Sequence, residues 1–480
     1  MGELKVLEPA IDNGLPSIHV KKRLLVVLGA GSSVEQDFPN TQELGLEIAG
    51  WAREHFERVG RASEGGHLPS QWPDYYGLLW KNRENYHSGV PDEVKGLAEH
   101  RTAPNYERVL GDLHALMNGV LGKPYGDPIY QWITKADVFK DLGIAPDGAD
   151  WEDLRSGKNF HAVQGQLKAL CTRLAARIRG NSVRFEIELE NGRGTEAFEP
   201  YREIFLGLSQ EFDLGVYNLN YDTVALNALP HAFVGFHRKN GRFVPSEVLS
   251  RPDWNFLYHL HGSVHHRIRF ESRVMEDPDF GQKITWYNDL SQTGDGEDWE
   301  DAGDVAMKSD GKRVLLTSLI AGGWKLDQLQ DEPFLTFYSS FVRHVHEADA
   351  ILIGGYGFGD LHVNSILRNA LRARSRSGRP PVIVLGHNKG GRPIANRDAD
   401  PWSSAMATTL RVPVKRFRDF QHRSEAHWTN LPHKVPPGEF EQLVDANRPI
   451  PIATWNWGFN AAAPKISEII KWLSGDLAAL

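Results

Sequence analysis

Four short stretches of this 480-residue chain carry side chains able to hold a ligand or move a proton. In G-V-Y-N-L-N-Y-D-T, residues 215–223, an apolar run stops at Asn218, Asn220 and Asp222. Amides and carboxylates orient hydroxyls and carboxamides. The same spacing equally builds an Asx turn in which Asp222 or Thr223 caps the next helix. In F-L-Y-H-L-H-G-S-V, residues 256–264, His259 and His261 alternate with apolar neighbours, which puts both rings on one side of a strand. A histidine there is either a structural residue at a strand end or a general base near pH 7. The H-x-H spacing has no sequence-adjacent third ligand and no cysteine to assist, so no metal is expected.

The other two stretches are glycine loops. In L-L-V-V-L-G-A-G-S-S, residues 24–33, a buried apolar run ends at Gly29-Ala30-Gly31. Glycine there lets backbone N–H groups approach a phosphate closely; a plain strand-to-helix turn is the other reading. Val34 stands where the dinucleotide fingerprint G-x-G-x-x-G needs its third glycine, which argues against a hydride-transfer Rossmann enzyme. In A-I-L-I-G-G-Y-G-F-G-D, residues 350–360, four glycines follow another apolar run, and Asp360 is placed to cap the next helix. Two such loops and two polar clusters, each after an apolar run, predict one cleft beyond the carboxyl ends of parallel strands.

Positioning these groups requires a sheet. Strands are predicted at 21–28, 214–217, 256–260, 313–320, 350–353 and 382–385. Helices are predicted at 41–59, 198–212, 333–346, 360–374 and 465–473. Their alternation gives an α/β fold with a Rossmann-like, mainly parallel sheet. Residues 60–199 read as a large, mostly helical insertion, with helices at 105–117 and 160–178 and one short strand in V-R-F-E-I-E-L-E, residues 183–190. The acidic stretch 291–304 reads as an exposed loop rather than a catalytic one. The Pro- and Trp-rich residues 391–480 read as a C-terminal extension.

Bulk properties narrow the field. A formal charge of -8 argues against direct nucleic-acid binding. The basic run Arg368, Arg372, Arg374, Arg376 and Arg379 reads as cations complementing a helix C-terminus. The single cysteine, Cys171, excludes intrachain disulfides and multi-cysteine zinc sites, and shares a helical face with Leu167, Leu170 and Leu174. No apolar run approaches the ~20 residues of a membrane helix. Residues 1–14 have no signal-peptide core, and Val6 stands where a myristoylation signal wants Ser or Thr. The expected location is the cytoplasm.

Together the four stretches resemble the SIR2 (sirtuin-like) family, and within it the bacterial NAD-hydrolysing branch of phage-defence systems. Gly29-Ala30-Gly31-Ser32-Ser33 is similar to that family's G-A-G-x-S, Asn220-Tyr221-Asp222 to its N-Y-D, His261-Gly262 to its H-G, and Gly355-Tyr356-Gly357-Phe358-Gly359-Asp360 to its G-[YF]-[SG]-F-x-D. Leu219 replaces the usual Gln or Thr, and Asp37 replaces a common Gly. One cysteine cannot build the four-cysteine zinc ribbon of the deacylases, which points to water as acceptor.

The resemblance implies a discontinuous NAD-binding catalytic domain at 21–59 and 200–390, beside an N-terminal segment at 1–20, the insertion at 60–199 and the extension at 391–480. NAD+ is the implied substrate, held by Gly29, Ala30, Gly31, Ser32, Ser33, Phe38, Gly355, Tyr356, Gly357 and Asp360, with no metal or redox cofactor. Asp222 is implied to hold the nicotinamide carboxamide, Asn220 to orient the ribose and a water, and His261 to act as general base. Implied partners are further copies of the chain or a sensor such as an Argonaute or HerA-type ATPase. An NAD or ADP-ribose sensor without turnover and a protein ADP-ribosyltransferase are the alternative functions.

Overall fold

A computed structural model describes residues 21–39, 43–45, 47–48, 51, 106–120, 157–270, 282–290, 299–307, 312–322, 324–374, 378–386, 401–412, 438–445 and 448–480. The described strands are β1 (Lys22–Leu28), β2 (Phe212–Asn218), β3 (Asn255–His259), β4 (His266–Phe270), β5 (Gln282–Trp286), β6 (Trp299–Glu300), β7 (Ala302–Met307), β8 (Arg313–Thr317), β9 (Ala350–Gly354), β10 (Val382–Leu385), β11 (Glu441–Asp445) and β12 (Arg448–Trp455). The helices are α1 (Tyr106–Val120), α2 (Gly157–Glu190), α3 (Thr195–Glu211), α4 (Val224–Ala228), α5 (Pro245–Ser250), α6 (Lys325–Gln328), α7 (Phe334–Glu347), α8 (Leu361–Ala373), α9 (Pro401–Thr409) and α10 (Ile466–Leu473).

Seven strands form one sheet in the order β11-β12-β10-β9-β1-β2-β3. All pairings are parallel except β11 with β12. Leu24–Leu28 of β1 is wholly buried because the sheet is covered on both faces, which is why its sequence is continuously apolar rather than alternating. Leu25 and Val27 pack towards α7 and α8, in a cluster with Phe337, Phe341, Val363 and Leu367. Leu24, Val26 and Leu28 pack the other way, with Tyr201, Phe205 and Leu208 of α3 and Trp472 of α10. The result is a three-layer α/β/α arrangement, a Rossmann-like sheet.

Strand order makes β1 the turning point. The chain places β2 and β3 on one side of it and β9 and β10 on the other, so the crevice between β1 and β9 is where open parallel sheets bind ligands. Register sharpens this. Leu28 is paired with both Asn218 and Gly354, and Asn218 with His259. Four strands therefore end on a single transverse row, and all four chemistry-bearing stretches leave the sheet at that row.

Several expectations are corrected. Residues 183–190 are not a strand but the end of the 34-residue helix α2. As a helix the segment buries Phe185, half-buries Leu189 and leaves Ile187 half exposed, whereas a strand would have kept all three on one face. The predicted strand at 313–320 ends at Thr317 and pairs antiparallel with β7, outside the main sheet. It packs instead into a cluster with Leu110 and Met117 of α1 and Leu174 of α2. The acidic stretch is not all loop: 299–304 enters β6 and β7, and Asp301 makes a buried ion pair with Arg179. Its first part, 291–298, lies outside the described residues, as does most of the predicted helix at 41–59. Residues 438–480 supply β11, β12 and α10 to the main sheet and its cover. Cys171 is buried, and burial pushes its thiol up to about 12. Arg374 lies just beyond α8 and donates to the carbonyls of Val345, His346 and Ala348 at the end of α7, so it caps a neighbouring helix.

Candidate active site

The row of strand ends opens into a cavity of about 500 Å³. Gly29, Ala30 and Gly31 from the β1 loop form one wall, and Gly355, Tyr356, Gly357, Gly359 and Asp360 from the β9 loop another. Asn220 and Asp222 enter from β2 and His261 from β3, while Phe38 closes one side. Of the residues expected at the site, Ser32 and Ser33 do not line the cavity. They lie buried behind it and serve Asn220.

The glycines act on each other before they act on any ligand. Gly29 N–H donates to Gly354 O and Gly31 N–H to Gly355 O, both at 2.9 Å. A Cβ on Gly355, whose φ is +61°, would sit 2.0 Å from Ser32 N. Several N–H groups expected to face an anion are thus occupied in locking the two loops together. Gly357 and Gly359 border open space, where a Cβ would meet nothing within 4 Å among the described residues. Gly355→Ala is therefore expected to destabilise the fold by about 2–4 kcal/mol, from strain plus clash. Gly357→Ala should melt like the parent, and thermal melts of the two variants check the contrast.

Asn220 is fixed by its neighbours. Asn218 Oδ1 accepts its backbone N–H at 3.0 Å, an Asx turn that aims the side chain. Its Nδ2 donates to Gly29 O at 3.0 Å and lies 3.0 Å from Ser33 Oγ and 3.2 Å from Ser32 Oγ. Its Oδ1 is buried and has no partner among the described residues. A buried carbonyl without a donor costs about 1–3 kcal/mol, so an unmet acceptor in a cavity wall is one a ligand can satisfy.

Asp222 does what the turn reading required: its Oδ1 accepts from Val224 N–H at 3.0 Å, at the start of α4. It is also buried, and burial raises its carboxyl to about 6 despite that bond and Ser33. Because the folded value lies above the ordinary 3.8, protonation favours the fold: the benefit is complete below pH 4 and lost as pH rises through 6. Asp222→Asn should accordingly stabilise the protein near pH 7.5, by about 3 kcal/mol at most, with the gain vanishing near pH 4. Melts across that range test this; a gain independent of pH would refute the burial cost.

The two histidines part company. β3 ends at His259, so the strand alternation does not extend to His261. His259 Nδ1 lies 3.1 Å from Asn220 O, and its ring packs near His266 and Trp286. Burial lowers its value to about 4. His261 follows in a turn where Gly262, at φ +92°, comes so close to Ser318 that a Cβ would lie 2.2 Å from its carbonyl. His261 Nε2 is 3.0 Å from Asp360 Oδ2, close but not aligned as a hydrogen bond. Burial, then the positive charge of Lys325, pulls His261 below its usual range, leaving it neutral at pH 7.

Asp360 uses both oxygens. Oδ1 caps α8, accepting from His362 N–H at 3.0 Å and Val363 N–H at 3.2 Å. Oδ2 faces His261 and, at 3.5 Å, Lys325 Nζ. Burial alone would raise this carboxyl; His261, then Lys325, outweigh burial and keep it ionised. Asp37, at the position of a common glycine, adopts φ +61°, a left-handed conformation that Asp tolerates better than most residues.

A family model described as a SIR2-like domain matches residues 215–400. The chain carries a SIR2-like domain. No curated protein matches it. The matched span holds three of the four stretches, and β1 brings the fourth, the Gly29 loop, into the SIR2-like domain's sheet between β9 and β2. SIR2-like domains use NAD+, and the cavity suits such a substrate. Its volume lies in the range of small-molecule sites, and among the described residues the Gly357–Gly359 segment leaves room and Asn220 Oδ1 lacks a donor. Among the described residues no group of three or more His, Cys, Asp or Glu is placed to hold a metal ion, and no helix is long and apolar enough to cross a membrane.

Sequence reasoning missed part of the wall. Tyr106 and Glu107 from α1 and Lys325 from α6 line the cavity of the SIR2-like domain. Tyr106 Oη is 3.2 Å from Tyr221 Oη, and Tyr221 donates to Ile320 O at 2.7 Å. Nothing in the local pattern around Glu107 or Lys325 marks them; tertiary packing of α1 and α6 brings them to the site.

Proposed function

We propose that the chain hydrolyses NAD+ to nicotinamide and ADP-ribose, using a catalytic domain built from 21–59 and 200–390. The observation that carries this reading is the buried Oδ1 of Asn220, unpartnered among the described residues, on a side chain that shares the cavity wall with Asp222 and His261. Asp222 accepts from the carboxamide N–H of nicotinamide. Asn220 Oδ1 accepts from a ribose hydroxyl or from the attacking water. Gly29, Ala30, Gly31, Phe38, Gly355, Tyr356 and Gly357 receive the rest of the dinucleotide, with Ser32 and Ser33 holding Asn220 from behind.

In the reaction a water oxygen bonds to the ribose carbon bearing nicotinamide. The glycosidic C–N bond breaks, and its electron pair neutralises the pyridinium nitrogen. The water's proton passes to His261, neutral and therefore able to accept it. Acceptor oxygens facing the reacting carbon stabilise the oxocarbenium-like charge that develops there.

Resemblance to the phage-defence branch supports a role as a triggered effector that depletes cellular NAD+, in the cytoplasm, as an oligomer or with a sensor partner. Uncontrolled hydrolysis would deplete the host, so activity is held off until a trigger arrives. The test is incubation of purified protein with NAD+ and quantitation of nicotinamide and ADP-ribose, alone and with candidate activators. NAD+ bound but recovered intact under every condition would instead make the chain a sensor, and labelled polypeptide from labelled NAD+ would make it a transferase.

A further inference from the structure

We propose that Lys325 is a positioning residue for His261, acting through Asp360 and anchored by Glu107 of the helical insertion. This rests on the reading of His261 as the base. The geometry is a chain of contacts along the cavity wall. Glu107 Oε1 lies 2.6 Å from Lys325 Nζ, Lys325 Nζ lies 3.5 Å from Asp360 Oδ2, and Asp360 Oδ2 lies 3.0 Å from His261 Nε2. Lys325 is largely buried, its side chain 14% exposed, so these contacts are poorly screened.

The frame that holds Lys325 is built by the insertion. Trp324, next in sequence and buried, stacks on His114 of α1 with ring centroids 4.5 Å apart. Asn118 of the same helix bonds both the N–H and the carbonyl of Arg313, at 2.8 and 2.9 Å, clamping α1 to the start of β8. Glu107, on the first turn of that helix, is thereby brought to Lys325. The SIR2-like domain supplies His261 and Asp360; α1 supplies the contact that fixes the cation between them and solvent.

Lys325 has two effects on the pair. It keeps Asp360 anionic, and a carboxylate Oδ2 3.0 Å from His261 Nε2 favours the tautomer protonated on Nε2, which leaves Nδ1 as the basic nitrogen, the orienting role an aspartate plays beside a catalytic histidine. It also opposes a second positive charge, keeping the imidazole neutral beside a carboxylate that would otherwise draw it to imidazolium. Among the described residues the charges acting on the ring are Lys325 from α6, Asp360 from the β9 loop and Glu107 from α1, and Asp222 beyond β2 lines the same cavity. Tyr106, Tyr221 and Tyr338 add phenols that burial keeps protonated.

The test reads His261 directly, by NMR titration of the imidazole in the ligand-free protein, with His261→Gln to assign its signal. Lys325→Met is expected to move the His261 midpoint up by about one pH unit or more, the scale of a charge a few ångströms away. Lys325→Arg should restore the parental midpoint. Glu107→Gln, which removes the opposing charge, should move it down. A side chain with a merely structural role would shift both variants the same way. The inference is overturned if Lys325→Met leaves the midpoint unchanged or lowers it, or if Glu107→Gln raises it. In the NAD+ assay, Lys325→Met should shift the acid limb of kcat to higher pH, and Lys325→Arg should return it to the parental position. If the parent releases no nicotinamide, the function reading fails while the titrations still decide this one.

Discussion

Replacing His261 with alanine is expected to lower nicotinamide release from NAD+ by about 10²–10⁴-fold, the usual contribution of a positioned general base. The loss should fall on kcat, with KM within a few-fold of the parent, because in the proposed site the dinucleotide is held by the glycine loops, Asp222 and Asn220, which this substitution leaves intact. Its origin is specific. The ring is buried and neutral, with Nε2 held 3.0 Å from Asp360. Removing it leaves water without an acceptor for its proton and leaves Asp360 Oδ2 beside Lys325 without its histidine partner. Raising the pH should recover part of the rate, since hydroxide then replaces the missing base. Steady-state kinetics from pH 6 to 9 measure both effects; full activity at pH 7 would remove His261 from the mechanism.

The second large effect is at Asn220. Asn220→Ala is expected to reduce kcat/KM by about 10²–10³-fold, as for loss of one preorganised polar group at a developing charge. It should also destabilise the fold by about 1–3 kcal/mol, because Gly29 O, Ser32 Oγ and Ser33 Oγ lose their shared donor. Asn220→Asp separates the two roles: it keeps the acceptor oxygen and removes the donor. Calorimetry with NAD+ and thermal melts on both variants resolve them. Equal catalysis by Ala and parent would show that the unpartnered Oδ1 has no part in the reaction.

Much of this site could be read from sequence because its local signals agree. The apolar runs 24–28, 214–217, 256–258 and 350–353 each stop at a polar or glycine cluster, and all four stops fall on the same row of the sheet. Asp360 also announced its cap, since a carboxylate after a glycine loop and before an amphipathic stretch satisfies free N–H groups. What stayed hidden depends on tertiary docking. Glu107 and Lys325 are ordinary charged residues until α1 lies beside α6. V-R-F-E-I-E-L-E alternates like a strand, but it continues α2, and the burial of Phe185 beside Phe38 and Phe198 overrides its propensity. β12 was hidden by Pro449 and Pro451, which normally argue against an interior strand. Both precede Ile452–Trp455, the part of β12 that pairs with β10, so neither removes a hydrogen bond from that ladder.

The Asp360–His261 contact has a mechanical side as well. The loop that leaves β9 passes the ends of β1 and β2 and touches the turn after β3, the last strand of the sheet. It works as a handle across four strands, tying the sheet's margin to its centre. A ligand that bridges the handle and the turn therefore staples that margin in place, so occupancy at the site and the rigidity of the sheet's outermost strand rise together.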